Sequence, residues 1–386
     1  MKVLHLCLAC FYIDNYSYQE NMLPNFHKKL GYDVEIIAST VSFDEHGNGC
    51  YVEPRTYFNE NGIKVTRLPY KKTIPAKLGR TLRIYDGLYS ALNNASPDIV
   101  FVHGCQFLDI KTLVKYLKLH KAKVFVDNHA DFSNSATNWV SKNFLHRFIW
   151  KKCAWRIEPY TTKFYGVLPA RVDFLRNLYK LPSNKCELLV MGADDELVEK
   201  AHKSGAREKI RSRYGISDND FLIVTGGKID RWKKQIFLLM KAVHNINRRN
   251  LKLIVFGSVS EEFKDQITEL SDNNKVQYVG WITSSDTYDY FEAADLVVFP
   301  GRHSVMWEQV VGQGVPMLVK DWDGTHHVDI GGNVRFIKCE SIVEIQNEIE
   351  FILNNYQIYA QMLNHATNQG KQVFSYLNIA KRSVNF

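Results

Sequence analysis

What the chain lacks narrows it first. No stretch of its 386 residues is apolar for long enough to cross a bilayer, since a spanning helix needs about 20 such residues in a row. The opening "MKVLHLCLACFYID" has one lysine, a short apolar run and no small-residue cleavage site. It is expected to form a first β-strand and not a secretory leader. Cysteine is sparse and odd in number: seven, at positions 7, 10, 50, 105, 153, 186 and 339. Scattered thiols of this kind suit a reducing compartment and argue against a disulfide framework. Cys7 and Cys10 read as two buried thiols on the first strand. Glycine is missing where dinucleotide folds need it. A G-x-G-x-x-G turn should follow the first strand of an NAD or FAD domain, yet here that strand runs into "CFYIDNYSYQEN". A Walker loop, short repeats and low-complexity tracts are absent as well. The chain is expected in the cytoplasm, attached to a membrane at most peripherally, on its inner face.

Acid is lacking in two places. The formal net charge is +8, which favours acidic partners such as nucleotides or anionic lipid surfaces. Residues 71–83 carry Lys71, Lys72, Lys77, Arg80 and Arg83 with no acid among them. Residues 141–165 carry six Lys/Arg against one Glu, interleaved with Phe, Trp and Tyr. Aromatics among bases suit a membrane interface, whereas a solvated helix face with a buried aromatic side gives the same pattern. No nucleic-acid-binding module is recognisable, and no nucleic-acid partner is expected.

What is present is alternation. Apolar runs at 3–9, 34–39, 65–68, 99–103, 124–129, 165–168 and 187–191 alternate with helical patterns, among them 19–30, 78–93, 110–120 and 170–179. Runs without an apolar/polar period imply strands covered on both faces, and so a parallel α/β sheet. A polar, charge-rich stretch follows residue 192. Strand-like runs then resume at 222–225, 253–256, 276–279, 296–299, 317–319 and 334–337, ahead of a mostly helical tail. Two doubly wound halves are expected: a domain at 1–195, a second at 196–365, and a C-terminal helix at 366–386 packing back on the first.

In the second half the first strand ends in "TGGKIDRWKKQ" (225–235). A helix beginning there offers unpaired N–H groups and a partial positive charge. Lys228 before it and Lys233 in its first turn or just beyond would converge, with Gly227, on one anion, and a diphosphate fits best. The stretch "FPGRHSVMWEQVVGQGVP" (299–316) ends a strand at Pro300, presents His303 and Ser304 in a loop, and opens a helix bearing Glu308. Ligands bind at the carboxyl ends of parallel strands, so Lys228, Lys233, His303, Ser304 and Glu308 should rim one crevice. A carboxylate among cations beside a diphosphate is what a ribose diol requires.

Here the chain resembles the retaining glycosyltransferases of the GT-B fold, in the large branch that holds sucrose synthases and bacterial mannosyl and polysaccharide-building enzymes. The family's G-R-L-x-x-x-K phosphate motif is similar to "GKIDRWK" at 227–233, with Lys228 in the arginine's place, and its second-glutamate motif to Glu308–Pro316. Further echoes are "LGYDVEII" (30–37), "DIVFVHG" (98–104), "LPSNKCELLVMGADDELV" (181–198) and "VQYVGWI" (276–282), in the family's order over nearly the whole chain. Two departures stand out: Pro300 replaces the glutamate eight residues before Glu308, and the first-strand loop lacks the usual glycine pair.

The resemblance implies two Rossmann-like doubly wound domains facing across a cleft, and transfer of a sugar from a UDP- or GDP-sugar with anomeric retention. The acceptor is expected to be lipid-linked or an oligosaccharide, in bacterial surface polysaccharide synthesis, with an anionic membrane surface as partner. Lys228 and Lys233 are implied at the leaving diphosphate, Glu308 at the ribose, and His303 and Ser304 in the duty of the missing glutamate. Gly280, Trp281 and Ile282 are implied at the base. His129 in "VFVDNHADF" matches the family's cleft histidine, with catalytic duty shared among His129, Lys233 and Glu308. Tyr18, Gln19, Glu20 and Asp131 are placed at the acceptor. Neither cofactor nor metal is expected: "DWD" (321–323), "THHVD" (325–329) and "DNHAD" (127–131) contain ligand-type residues without a third convergent group. The alternatives are a sugar-nucleotide epimerase of similar architecture and a non-catalytic sugar-nucleotide-binding subunit.

Overall fold

A computed structural model describes residues 1–44, 48–132, 134, 135, 138, 139 and 141–385. Its contacts divide the chain into two compact units, residues 1–190 with 379 onward, and residues 191–378.

The first unit is built on strands β1 (Lys2–Cys7), β2 (Asp33–Ser39), β3 (Val41–Phe43), β4 (Gly49–Tyr51), β5 (Thr56–Phe58), β6 (Lys64–Leu68), β7 (Ile99–His103), β8 (Lys123–Asn128), β9 (Thr161–Gly166) and β10 (Cys186–Leu188). Eight of them form one sheet in the order β10-β9-β8-β7-β1-β2-β6-β5. Its central strands are buried along most of their length, β7 completely, as unalternating apolar runs require. Only β5 is antiparallel, and β3–β4 form a separate hairpin. These three-residue strands are too short to leave a period in the sequence. The helix expected over 78–93 is split into Ala76–Leu82 and Leu88–Ala95. Arg83 takes a left-handed φ of 56°, and Tyr85 bridges back to Tyr70.

The second unit has six strands: β11 (Phe221–Gly226), β12 (Leu251–Phe256), β13 (Val276–Tyr278), β14 (Leu296–Phe299), β15 (Met317–Lys320) and β16 (Val334–Ile337). All pair in parallel, in the order β13-β12-β11-β14-β15-β16. The chain passes from β11 to β12 on one side and later to β14 on the other, so the order reverses between β11 and β14. Loops there diverge and leave a crevice. The unit begins at 191, where Asp194 caps the helix Asp195–Lys203 through its side chain. The tail also differs from expectation: residues 366–378 stay with the second unit, and only those from Ile379 onward join the first.

The crevice floor depends on two glycines. Gly227 has φ +117° and Gly257 φ +125°, and a Cβ on Gly257 would lie 1.9 Å from the Gly227 carbonyl oxygen. Gly257 combines left-handed backbone with backbone contact, which excludes other residues, whereas a Cβ on Gly227 would meet the Met306 methyl at 2.9 Å. Gly257→Ala is expected to destabilise the protein by about 3 kcal/mol, from strain and the displaced carbonyl together. A urea melt that leaves the midpoint unchanged would contradict this packing.

Candidate functional site

At the carboxyl ends of β11 and β14 a pocket is lined by Thr225, Gly226, Lys228, Ile229, Lys233, Pro300, Gly301, Arg302 and Ser304, among others. Lys228, Lys233 and Ser304 are thus brought together as the sequence implied. Lys228 is exposed, whereas Lys233 is half-buried. The Lys233 stem lies over Gly301 and its Nζ lies 3.4 Å from where a Gly227 Cβ would stand. Burial lowers the pKa of this ammonium, and Asp230 offsets that only in part, without a hydrogen bond. An ammonium held this way in a pocket is short of one negative charge.

The backbone differs from expectation. The helix after the glycine pair starts at Ile236, so Lys233 precedes it. Its first amides are occupied: Ile236, Phe237 and Leu238 N–H donate to the carbonyls of Lys233, Lys234 and Gln235 at 3.0–3.2 Å. Asp230 organises this turn by accepting from the Trp232 N–H at 2.9 Å. The anion site therefore rests on side-chain cations, not on free helix-end amides. Arg302 is a third such cation that the sequence reading missed. Its guanidinium stacks over Trp232 at 4.1 Å, and its signal was present in "PGRHS", between two residues already singled out.

Glu308 is the third residue of the helix Met306–Gln313 and is completely buried. Its Oε1 accepts from His303 Nε2 and from His327 Nε2, each at 2.9 Å. Burial alone would raise its pKa; the two imidazoles outweigh that and hold it at about 2. The carboxylate expected to meet a ligand directly is therefore covered, and His303 stands in front of it with its side chain 12% exposed. His327 was outside the expected set, although it lies in the flagged "THHVD". Only folding brings the loop after β15 onto the helix after β14.

Among the described residues, His303, Glu308 and His327 form the one group with ligand-type atoms within 4.8 Å of one another. Both Nε2–H groups donate to Glu308 Oε1, while Glu308 Oε2 has no hydrogen-bond partner among the described residues. A metal-bound imidazole ordinarily passes its other N–H to an outer acceptor, and among the described residues His327 Nδ1 has none.

The other expected residues disperse. Gly280, Trp281 and Ile282 follow β13, two strands from β11; Gly280 has φ +79° and its carbonyl accepts from Gly257 N–H at 2.7 Å, while the Trp281 side chain is 69% exposed. In the first unit, His129 lies just past β8 and pairs with Asp127 Oδ2 at 3.3 Å. Tyr18 is exposed at the start of the helix Gln19–Lys29, but Gln19 and Glu20 are buried. Gln19 points at Asp127, and Asp131 accepts from Arg171 Nε at 3.2 Å. Of the four residues placed at an acceptor, only Tyr18 offers much surface.

The Glu308 cluster carries a pH signature. Its pKa is depressed from an ordinary 4.5, so the stabilisation is complete above about pH 4.5 and fades as pH falls toward 2. The shift corresponds to on the order of 3 kcal/mol. The stability advantage of wild type over Glu308→Gln is expected to be largest above pH 5 and to shrink between pH 5 and 3, followed by urea melts. An advantage that stays constant over that range would show that the carboxylate is not held by the two imidazoles.

Comparison with known proteins bears on the second unit and on the fold. Residues 206–370 match the family described as glycosyl transferases group 1. An uncharacterized glycosyltransferase of Methanocaldococcus jannaschii is 21% identical over 224 residues, 54% of this chain and 55% of that protein. The match thus spans about half the length of the curated relative. The Anabaena protein HepE, solved in complex with UDP, superposes with a TM-score of 0.67 at 16% identity, over 99% of this chain and 98% of its own. A UDP-GlcNAc 2-epimerase from Neisseria meningitidis, bound to UDP-GlcNAc, gives 0.66 at 15% identity over the same shares. Residues 206–370 therefore match the glycosyl transferases group 1, within a chain whose two parallel α/β units have the GT-B fold.

Proposed function

We propose that the protein is a glycosyltransferase, transferring a sugar from a UDP- or GDP-sugar to a lipid-linked or oligosaccharide acceptor with retention of anomeric configuration, in the assembly of a bacterial surface polysaccharide. One observation carries the donor site: the Lys233 ammonium, half-buried at the β11/β14 switch point with no hydrogen-bonded acceptor among the described residues. The group 1 match over the same unit and the UDP held by HepE support a nucleotide diphosphate as its counter-ion.

Negative charge develops on the leaving diphosphate as the glycosidic bond breaks. Cations already in place lower that barrier, because they need not reorganise at the moment of reaction. Lys233, Lys228 and Arg302 serve there, and they supply the counter-charge that a metal provides elsewhere, so transfer persists in excess EDTA. His303 and Ser304 meet the ribose and sugar hydroxyls, with Glu308 fixing His303 from behind. Gly280, Trp281 and Ile282 take the base. His129 is assigned to the sugar and Tyr18 to the acceptor.

The decisive experiment is a thermal-shift panel with UDP, GDP, dTDP, CDP and ADP, followed by donor turnover. A ligand at a hundred times its Kd adds about 2.7 kcal/mol, a rise of a few degrees. Lys233→Ala should abolish the rise and lower turnover by on the order of a hundredfold. No stabilisation by any diphosphate would sink the donor-site assignment. Stabilisation without donor turnover would make the chain the non-catalytic binding subunit, which Pro300 favours. Release of an epimerised sugar without acceptor would make it an epimerase.

The membrane assignment rests on residues 141–157, where Phe144, Phe148 and Trp155 are more than half exposed and Lys142, Arg147, Lys152 and Arg156 share their exposure. Such an aromatic and basic surface suits anionic headgroups. The protein is expected to co-sediment with vesicles containing phosphatidylserine but not with pure phosphatidylcholine, and the Phe144→Ala/Phe148→Ala double variant to lose most of that binding. Equal binding to both vesicles would rule out the electrostatic part.

A further inference from the structure

Three histidines and an aspartate form an unbroken buried row through the first unit. His27 Nδ1 meets His5 Nε2 at 3.0 Å, His5 Nδ1 meets His103 Nε2 at 3.0 Å, and His103 Nδ1 meets Asp127 Oδ2 at 2.8 Å. At the other end, His27 Nε2 lies 3.1 Å from the Ala380 carbonyl and 2.9 Å from Ser383 Oγ. All four side chains are completely buried. Apolar residues of similar size would fill this space at less cost, because buried polar groups stabilise only when every one is paired.

The partners dictate the protons. A carbonyl only accepts, so His27 Nε2 carries a hydrogen, and Ser383 Oγ donates to the same carbonyl at 2.8 Å. An ionised carboxylate only accepts, so His103 Nδ1 carries a hydrogen as well. Between these fixed ends lie two N···N contacts, each needing one hydrogen. Three rings therefore hold four hydrogens, one more than three neutral imidazoles have. That extra proton belongs on His103. Burial opposes it, but the Asp127 carboxylate outweighs burial and raises the His103 pKa to about 9. His5 and His27 are pushed down by burial, His27 to about 4. The polarity is then uniform: His103 donates to His5, His5 to His27, and His27 to the Ala380 carbonyl.

Asp127 is the output of this row. Besides His103, its Oδ2 takes His129 Nε2 at 3.3 Å and Gln19 Nε2 at 3.4 Å. Glu20 and Cys7 also act on His103, and Cys10 feels the Asp127 charge. We propose that the His27–His5–His103 row is a positioning device for His129: it keeps Asp127 ionised with one oxygen turned to His129 Nε2–H, so that His129 presents Nδ1 as its free lone pair. His103, His5 and His27 touch no ligand and are positioning residues. The row ends at Ala380 and Ser383, so the segment after residue 379 closes the hydrogen-bonded path that starts beside His129. The role of His129 in transfer rests on the function proposed above; the protonation of the row does not.

The test separates the two. In protein labelled with 15N-histidine, long-range imidazole correlations should show one ring, His103, as imidazolium through pH 8. His5 and His27 should appear as neutral Nε2–H tautomers, and His129 should carry a hydrogen on Nε2. His103→Gln should release His129 into a mixture of tautomers. In donor turnover the pH profile should be displaced, with KM for donor little changed. His5→Gln, whose amide both accepts and donates, should retain the wild-type tautomers and pH profile, whereas His5→Leu should lose both. Three neutral rings at pH 7 in the wild type would overturn the proposal without any variant having to fold. So would a His129 tautomer that His103→Gln and His5→Leu leave unchanged. Tautomers that respond while the pH profile does not would keep the row and remove His129 from the chemistry.

Discussion

Charge removed from water is the constraint to which the rest of this structure answers. Desolvating an ion is costly unless a partner of opposite sign or several hydrogen bonds replace the water. Here several buried or half-buried ionic groups lie where parallel strands stop. Lys233 lies beyond β11, Glu308 follows β14, and His103 and Asp127 sit at or near the ends of β7 and β8. The strand interiors are largely apolar; the exceptions include His5, which joins the β7 end to the helix Gln19–Lys29, and Arg67 of β6, which is buried beside Asp14. Much of the polar chemistry thereby gathers at the ends of the sheets, where loops diverge and a ligand fits.

The three groups resolve the cost differently, and the differences assign their roles. Glu308 is countered by two imidazoles through Oε1, and Asp127 by an imidazolium with further donors through Oδ2; both arrangements fix geometry. Lys233 alone remains short of a counter-charge. An uncompensated cation has a depressed pKa and a strong appetite for an anion, and a diphosphate satisfies both. Positioning groups are those already held by hydrogen-bonded partners of opposite charge, and the binding group is the one that, among the described residues, is not.

Much of this was legible beforehand, for identifiable reasons. Buried parallel strands need unbroken apolar runs, so 99–103, 124–129 and 296–299 marked β7, β8 and β14 within a residue or two. Glycine pairs and chain-stopping prolines marked the turns at 226–227 and 314–316. Because ligands gather at strand ends, Lys228, Lys233 and Ser304 could be placed together from their positions alone. Short elements were not legible: β3, β4 and β5 have three residues each, less than two periods of any pattern. Nor was the break at Arg83, where a bridge between Tyr70 and Tyr85 prevails over helical periodicity.

By itself, then, the sequence determined the α/β class, the two doubly wound halves and which loops carry function, because each is encoded in the spacing of neighbouring residues. Only the tertiary structure decided what those loops' side chains meet. His327 reaches Glu308 across 19 residues, His103 reaches His5 across 98, and His27 reaches Ser383 across 356. No local pattern reports such distances. The same holds for burial: whether a lysine is solvated or stranded, and whether a glutamate faces a ligand or lies behind a histidine, depends on what packs over it. Hydrophobic spacing is a local property of the chain, whereas the electrostatic environment of a side chain is a property of the assembled fold.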